Sequence, residues 1–175
     1  MLTGNKFMLA SEIKTWNDAA RYELEFHERN AMHASDFSID SIRTRGPRLI
    51  EQAQRENLNQ PGAEWRLGHY MISTGTLACR ALKDRGEWDI DQMVDLLCSK
   101  QHDYGQGNIL AFGILGVAVR MSDKIERIKN LSRTISSDPT PRNESFNDTL
   151  MDIVGYAVVT GMLIANHFTL ELADE

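Results

Sequence analysis

Cysteine is nearly missing from this chain, with only Cys79 and Cys98 among 175 residues and no CxxC or Cys/His spacing. That argues against a disulfide framework and a structural zinc site, and it suits a reducing compartment. Proline is also scarce, at four residues, within an ordinary composition of 42% hydrophobic and 25% charged residues, which excludes a disordered or collagen-like chain. A basic excess is missing: 19 Lys and Arg against 25 Asp and Glu leave a net charge of -6. A general nucleic-acid-binding role is therefore disfavoured, because phosphate backbones demand a basic surface. The same balance suits a protein that concentrates divalent cations locally. Long hydrophobic runs are missing too. The apolar stretches 109–119 and 153–165 fall short of the roughly 20 residues that span a bilayer, and residues 1–10 lack a signal peptide's charged start and long apolar middle. The expectation is a cytoplasmic protein with no membrane partner. Strand signals are weak as well, with no sustained period-2 alternation and no Asn-Gly or Asp-Gly turn between apolar runs.

What remains is helical, and 175 residues fit a single all-α domain, a helical bundle over 1–175. Ser11 is a candidate cap for a helix over 11–34, with Trp16, Ala19, Ala20, Leu24 and Phe26 as its apolar stripe. A shorter helix follows Pro47 and ends before Asn59. A third covers 64–84, closed by Gly86, and Asp89 caps a fourth over 90–100. Residues 101–108, Gln-His-Asp-Tyr-Gly-Gln-Gly-Asn, read as a loop. Two long helices follow, over 109–133 and 143–167, and the short link with Pro139 and Pro141 makes them antiparallel neighbours. Residues 1–99 supply helices of no assigned role, and 100–168 hold the candidate metal- and nucleotide-binding helices.

The acids concentrate on those last two helices. Glu144, Asp148 and Asp152 follow at i, i+4 steps, a spacing at which like charges repel. Their face continues into Gly155, Val159 and Met162, which are small or apolar, whereas a solvated face stays polar along its length. On the preceding helix Asp123 and Glu126 share a face with Arg120, Arg127 and Asn130, opposite a core seam of Leu110, Val117, Met121, Ile125 and Ile128. Antiparallel packing would set Asp123 against Asp148 and Asp152, and converging carboxylates call for a cation, Mg²⁺ first and Mn²⁺ next. The plain alternative is a solvated acidic stripe, with Arg120, Lys124 and Arg127 as ion-pair partners rather than phosphate contacts. The 101–108 loop has two readings too: a phosphate-holding turn before a helix N-terminus, or a Tyr-Gly turn capped by Asn108. Trp16, Trp65 and Trp88 read as core or interface anchors.

Three segments together resemble a known group: Lys100-x-x-Asp103-Tyr104-Gly105-x-x-Asn108, Arg120-x-x-Asp123-Lys124-x-x-Arg127, and Glu144-Ser145-x-x-Asp148-Thr149-Leu150-x-Asp152-x-x-x-Tyr156-Ala157. The group is the phage and bacterial nucleotide modification associated domain 1 type, itself similar to the MazG-like all-α NTP pyrophosphohydrolases. The resemblance spans about 100–165. It implies a homo-oligomeric helical bundle, in the host cytoplasm if phage-encoded, that hydrolyses a nucleoside triphosphate, a purine dNTP first among the candidates, to the monophosphate and pyrophosphate with Mg²⁺. It implies metal ligands at Asp123, Glu126, Glu144, Asp148 and Asp152, with Asp123, Asp148 and Asp152 catalytic. Lys100, His102, Asp103, Asn108, Arg120, Lys124 and Arg127 would hold the substrate. Three positions depart from the MazG pattern, since Val119, Arg120 and Thr149 stand where glutamates are expected.

Overall fold

The computed structural model describes residues 8–33, 39–134 and 145–173. Among these the chain forms seven α-helices and no strand: α1 (Trp16–Ala31), α2 (Ile39–Arg43), α3 (Arg45–Asn57), α4 (Ala63–Asp84), α5 (Ile90–Tyr104), α6 (Gly107–Thr134) and α7 (Phe146–Ile164). The all-α bundle expected from the sequence is what forms.

Local chemistry sets most of the boundaries. Thr15 and Asp18 close a capping box on α1, with the Asp18 N–H donating to Thr15 Oγ1 at 3.2 Å and the Thr15 N–H to Asp18 Oδ2 at 2.9 Å. The helix therefore starts after Thr15, not after Ser11, which sits in a 3₁₀ turn over Ala10–Glu12. Asp89 caps α5 as expected, accepting from the Gln92 N–H at 3.1 Å. Past α4, Gly86 takes φ 72°, and the Glu87 N–H returns to the Leu82 carbonyl at 2.9 Å. The segment 101–108 is not a loop: α5 runs on to Tyr104 and α6 begins at Gly107. The turn between them rests on Gly105, at φ 62° and ψ −171°, a conformation that essentially only glycine tolerates.

Helices α4 and α7 form the centre of the bundle, and α1, α3 and α6 pack around them. The α4 side contributes Leu67, Met71, Gly75, Ala78 and Leu82, and α7 contributes Leu150, Ile153, Ala157, Val158 and Met162, all at helical spacing and all buried. Gly75 lets the two axes approach closely: a Cβ there would overlap the Ala157 Cβ and press on the His27 ring. Helices α6 and α7 are antiparallel, because Lys124 meets Asp152 while Arg127, one turn on, meets Thr149, one turn back.

The seam read for α6 holds at Val117, Met121, Ile125 and Ile128, each 0% exposed, but not at Leu110, which is 46% exposed. Gly113 breaks the helix there, at φ 54° and ψ −149°, so positions on either side no longer share a helical phase. On α1, Phe26 likewise lies at the surface, while Trp16, Ala19, Ala20 and Leu24 are buried. Trp65 is 65% exposed and stacks on His69, so it is no core anchor. No described helix is long and apolar enough to cross a membrane.

Candidate functional site

A cleft of about 420 Å³ opens where the end of α5, both parts of α6 and the middle of α7 meet. Each element delivers its side chains by helical spacing. Asp152, Gly155, Tyr156 and Val159 follow at i, i+3, i+4 and i+7 along α7, and Arg120 and Lys124 stand one turn apart on α6. Lys100, Gln101 and Tyr104 come from the last turn of α5, and Asn108 and Ile109 from the first turn of α6. Trp16 and Phe168 close the apolar wall, in edge contact with ring centroids 6.3 Å apart. Gly155 admits Leu97 to this wall, since a Cβ there would lie 3.0 Å from Leu97 Cδ2.

The polar wall centres on Asp152. Lys100 Nζ donates to its Oδ1 at 2.5 Å and Lys124 Nζ lies 2.7 Å from its Oδ2, so one carboxylate bridges two ammoniums. The Asp152 side chain is 12% exposed, against 20% for Lys124 and 43% for Lys100. These are charge-assisted contacts in a partly dehydrated setting, where they count for more than surface pairs do. The Tyr156 phenol feels all of these groups. Burial chiefly, and then Asp152, push its pKa up, while Lys124, Arg120 and Lys100 pull it down. Tyr156 thus stays a protonated O–H donor. Arg120 is exposed at the rim and forms no ion pair among the described residues.

Of the residues expected to act together, Lys100, Asn108, Arg120, Lys124 and Asp152 converge on this cleft. The others lie elsewhere. Asp148 completes the capping box of α7, its Oδ2 accepting the Ser145 N–H at 2.8 Å while Ser145 Oγ accepts the Asp148 N–H at 3.1 Å. The Ser145 hydrogen bonds hold its carboxyl below the usual range, with Lys100 and Arg127 adding a smaller pull. Glu126 pairs with Lys129 at 3.0 Å, and Asp123 is exposed. His102 and Asp103 stand at the surface on the last turn of α5, 3.3 Å apart. Arg127 donates from Nε to Thr149 Oγ1 at 3.2 Å. Glu144 lies outside the described residues.

The expected meeting of Asp123 with Asp148 and Asp152 therefore does not occur. Lys124, one residue and about 100° further round α6, is the α6 side chain that meets Asp152. Among the described residues no three His, Cys, Asp or Glu side chains gather as a metal set. Mg²⁺ and Mn²⁺ need several oxygen ligands, and both Asp152 oxygens already face ammoniums, so the donors described do not fit either ion.

Gln101, Tyr104, Leu97, Trp16, Tyr156 and Phe168 also line the cleft, and none of them has a site role expected from the sequence. Tyr156, at i+4 from Asp152, was within reach of helical phase; Trp16 and Phe168 enter only through tertiary packing. The Trp16 indole N–H is buried without an acceptor among the described residues. Comparisons with protein-family models, with curated proteins and with solved structures return no match, so the functional argument rests on these residues.

Proposed function

We propose that this chain is a nucleotide-metabolism protein that binds a nucleoside phosphate in the α5–α6–α7 cleft. One observation carries the reading: each of the three segments that carry the resemblance, Lys100–Asn108, Arg120–Arg127 and Glu144–Ala157, sends side chains to one cleft, among them Lys100 and Asn108, Arg120 and Lys124, and Asp152 and Tyr156. Lys100, Lys124 and Arg120 supply cationic donors for phosphate oxygens, with Tyr156 beside them. Tyr104, Ile109, Tyr156 and Val159, exposed or half-buried in the cleft, offer apolar surface to the nucleoside, as small-molecule sites generally do.

The activity that the resemblance gives this cleft is hydrolysis of a (d)NTP to (d)NMP and pyrophosphate with Mg²⁺, in a homo-oligomer. Its test is incubation of the pure protein with Mg²⁺ and each (d)NTP, following monophosphate and pyrophosphate. Turnover that Asp152→Asn abolishes supports hydrolysis. No turnover of any nucleotide, or full activity in Asp152→Asn, removes it. The second reading, nucleotide binding without hydrolysis, is favoured by the engagement of both Asp152 oxygens and by the dispersal of Asp123 and Glu126. It predicts thermal stabilisation by nucleotide with no pyrophosphate release.

A further inference from the structure

We infer that the α3–α4 surface carries an anion site of its own, in which Arg45 and Arg48 hold a tetrahedral oxyanion of the phosphate or sulfate kind. It shares no residue with the cleft and stands independently of the nucleotide reading. Both guanidiniums lie over the ring of Tyr70 on α4, 4.7 and 5.3 Å from its centre. Among the described residues neither has a carboxylate within ion-pair distance. The acids nearest in sequence are engaged elsewhere, Asp40 with Arg43 at 2.6 Å and Glu51 with Arg55 at 2.8 Å. A chain of net charge −6 thus folds with two cations on one ring and no acid beside them. Burial chiefly pulls the Arg45 pKa down, Tyr70 pulls it up, and Arg48 pulls it down again. A bound anion would relieve both the dehydration and the repulsion between the two arginines.

Helix α4 fixes the inner guanidinium in place. Ser73 and Thr74 donate their hydroxyl protons to the Tyr70 carbonyl, at 2.9 and 2.7 Å, which leaves their lone pairs for Arg45. Arg45 Nη1 donates to Ser73 Oγ at 2.6 Å and to Thr74 Oγ1 at 3.1 Å, and Thr74 is fully buried. One nitrogen of the fork is therefore anchored. Nε and Nη2 form no hydrogen bond among the described residues, and their N–H groups are left for a ligand. Arg48 is exposed and among the described residues rests on the ring alone, so its fork can turn to the same anion. An arginine oriented by a buried second layer is the arrangement that oxyanion recognition requires.

Two forks also select the class of anion. A carboxylate presents two oxygens in one plane, and a single bidentate arginine occupies both. Phosphate and sulfate keep further oxygens for a second arginine.

Calorimetric titration of the full chain at constant ionic strength tests this, with inorganic phosphate, sulfate, phenyl phosphate and acetate as ligands. Phosphate and sulfate should bind about tenfold tighter than acetate, the worth of one more charge-assisted contact. Phenyl phosphate bound as well as inorganic phosphate marks a seat for a monoester, and its exclusion marks one for the free ion. Arg48→Met should weaken phosphate about tenfold with an unchanged melting temperature, because the side chain is exposed. Ser73→Ala, which loosens Arg45, should weaken it about threefold. Arg120→Met, in the cleft, should leave this affinity within about twofold. Acetate as tight as phosphate and sulfate, or Arg48→Met with wild-type affinity, overturns the inference. If Arg120→Met abolishes phosphate binding and Arg48→Met does not, the anion sits in the cleft: this inference falls while the nucleotide reading stands.

Discussion

The carboxylate of Asp152 lies between two ammoniums on the cleft side of α7, while that of Glu23, reaching α7 from α1, lies against Gly161 with no cation beside it. Both acids are largely withdrawn from water. Asp152 is paired, whereas Glu23 has no ion-pair partner among the described residues, and burial pushes the Glu23 pKa up to about 7. One turn along α1 the same dry region holds His27, fully buried, with its pKa lowered to about 4 by burial. Its Nδ1–H donates to Thr76 Oγ1, whose own proton goes to the Ile72 carbonyl, and Nε2 has no partner. The cleft thus keeps its charges ionised and paired. The α1–α4–α7 junction instead removes charge and gains close packing, with two buried groups whose responses to pH run in opposite directions.

The most severe way to break this contrast is to spoil the packing itself. In Gly75→Ala the new methyl overlaps the Ala157 Cβ, and neither atom has a rotamer to retreat into. Helices α4 and α7 must separate, at a cost of roughly 3 kcal/mol, the upper end of overpacking effects and a large part of a domain's 5–15 kcal/mol. Urea denaturation should show it as a lower midpoint. Ala157→Gly in the same chain should recover part of the loss, and a double variant no better than the sum of its singles would refute the contact.

The two buried ionisable groups on α1 allow the contrast to be sharpened by pH. Glu23 has a raised folded pKa, so its contribution is fully present below pH 4.5 and is lost as pH rises through about 7. His27 has a lowered folded pKa, so its contribution is present above pH 6.5 and is lost as pH falls through about 4. In the wild-type chain these slopes oppose one another and largely cancel between the two ranges. Glu23→Gln should therefore gain stability relative to wild type as pH rises from 4.5 to 7. His27→Asn should gain relative to wild type as pH falls from 6.5 to 4. Each relative change is on the order of 2–3 kcal/mol, from about 1.4 kcal/mol per pKa unit. Denaturation series across pH check both signs, and parallel curves for the two variants would defeat the account.

The contrast also explains which parts of the molecule were legible in the sequence. The cap at Asp89, the stop at Gly86 and the seam Val117, Met121, Ile125 and Ile128 obey local rules that a linear chain displays directly. Leu110 was misplaced because Gly113, a single residue in a glycine-only conformation, resets the helical phase between it and that seam. No loop forms over 101–108, because His102, Asp103 and Tyr104 simply continue α5 until Gly105 turns the chain. The cleft was half visible. Lys100, Asn108, Arg120, Lys124 and Asp152 stand out in the sequence, but which α6 residue meets Asp152 depends on helix rotation, and one position separates a carboxylate at Asp123 from an ammonium at Lys124. Trp16 and Phe168 reach the cleft from opposite ends of the chain, a proximity that no local pattern records.

The smallest effects separate the cap from the cleft. Asp148 stands one turn before Asp152, yet its carboxylate serves the Ser145 N–H at the start of α7 and does not line the cleft. Asp148→Ala should therefore cost about 1 kcal/mol of stability, the usual value of a capping interaction. Nucleotide affinity should hold within about twofold, since an exposed charge near Lys100 is screened by salt. Asp123→Asn should change stability by less than about 0.5 kcal/mol, as surface substitutions without a partner generally do. If Asp148→Ala instead leaves the melting curve untouched while Asp123→Asn abolishes binding, the acids of α6 and α7 act as one site, and the division between a structural cap and a cationic cleft is wrong.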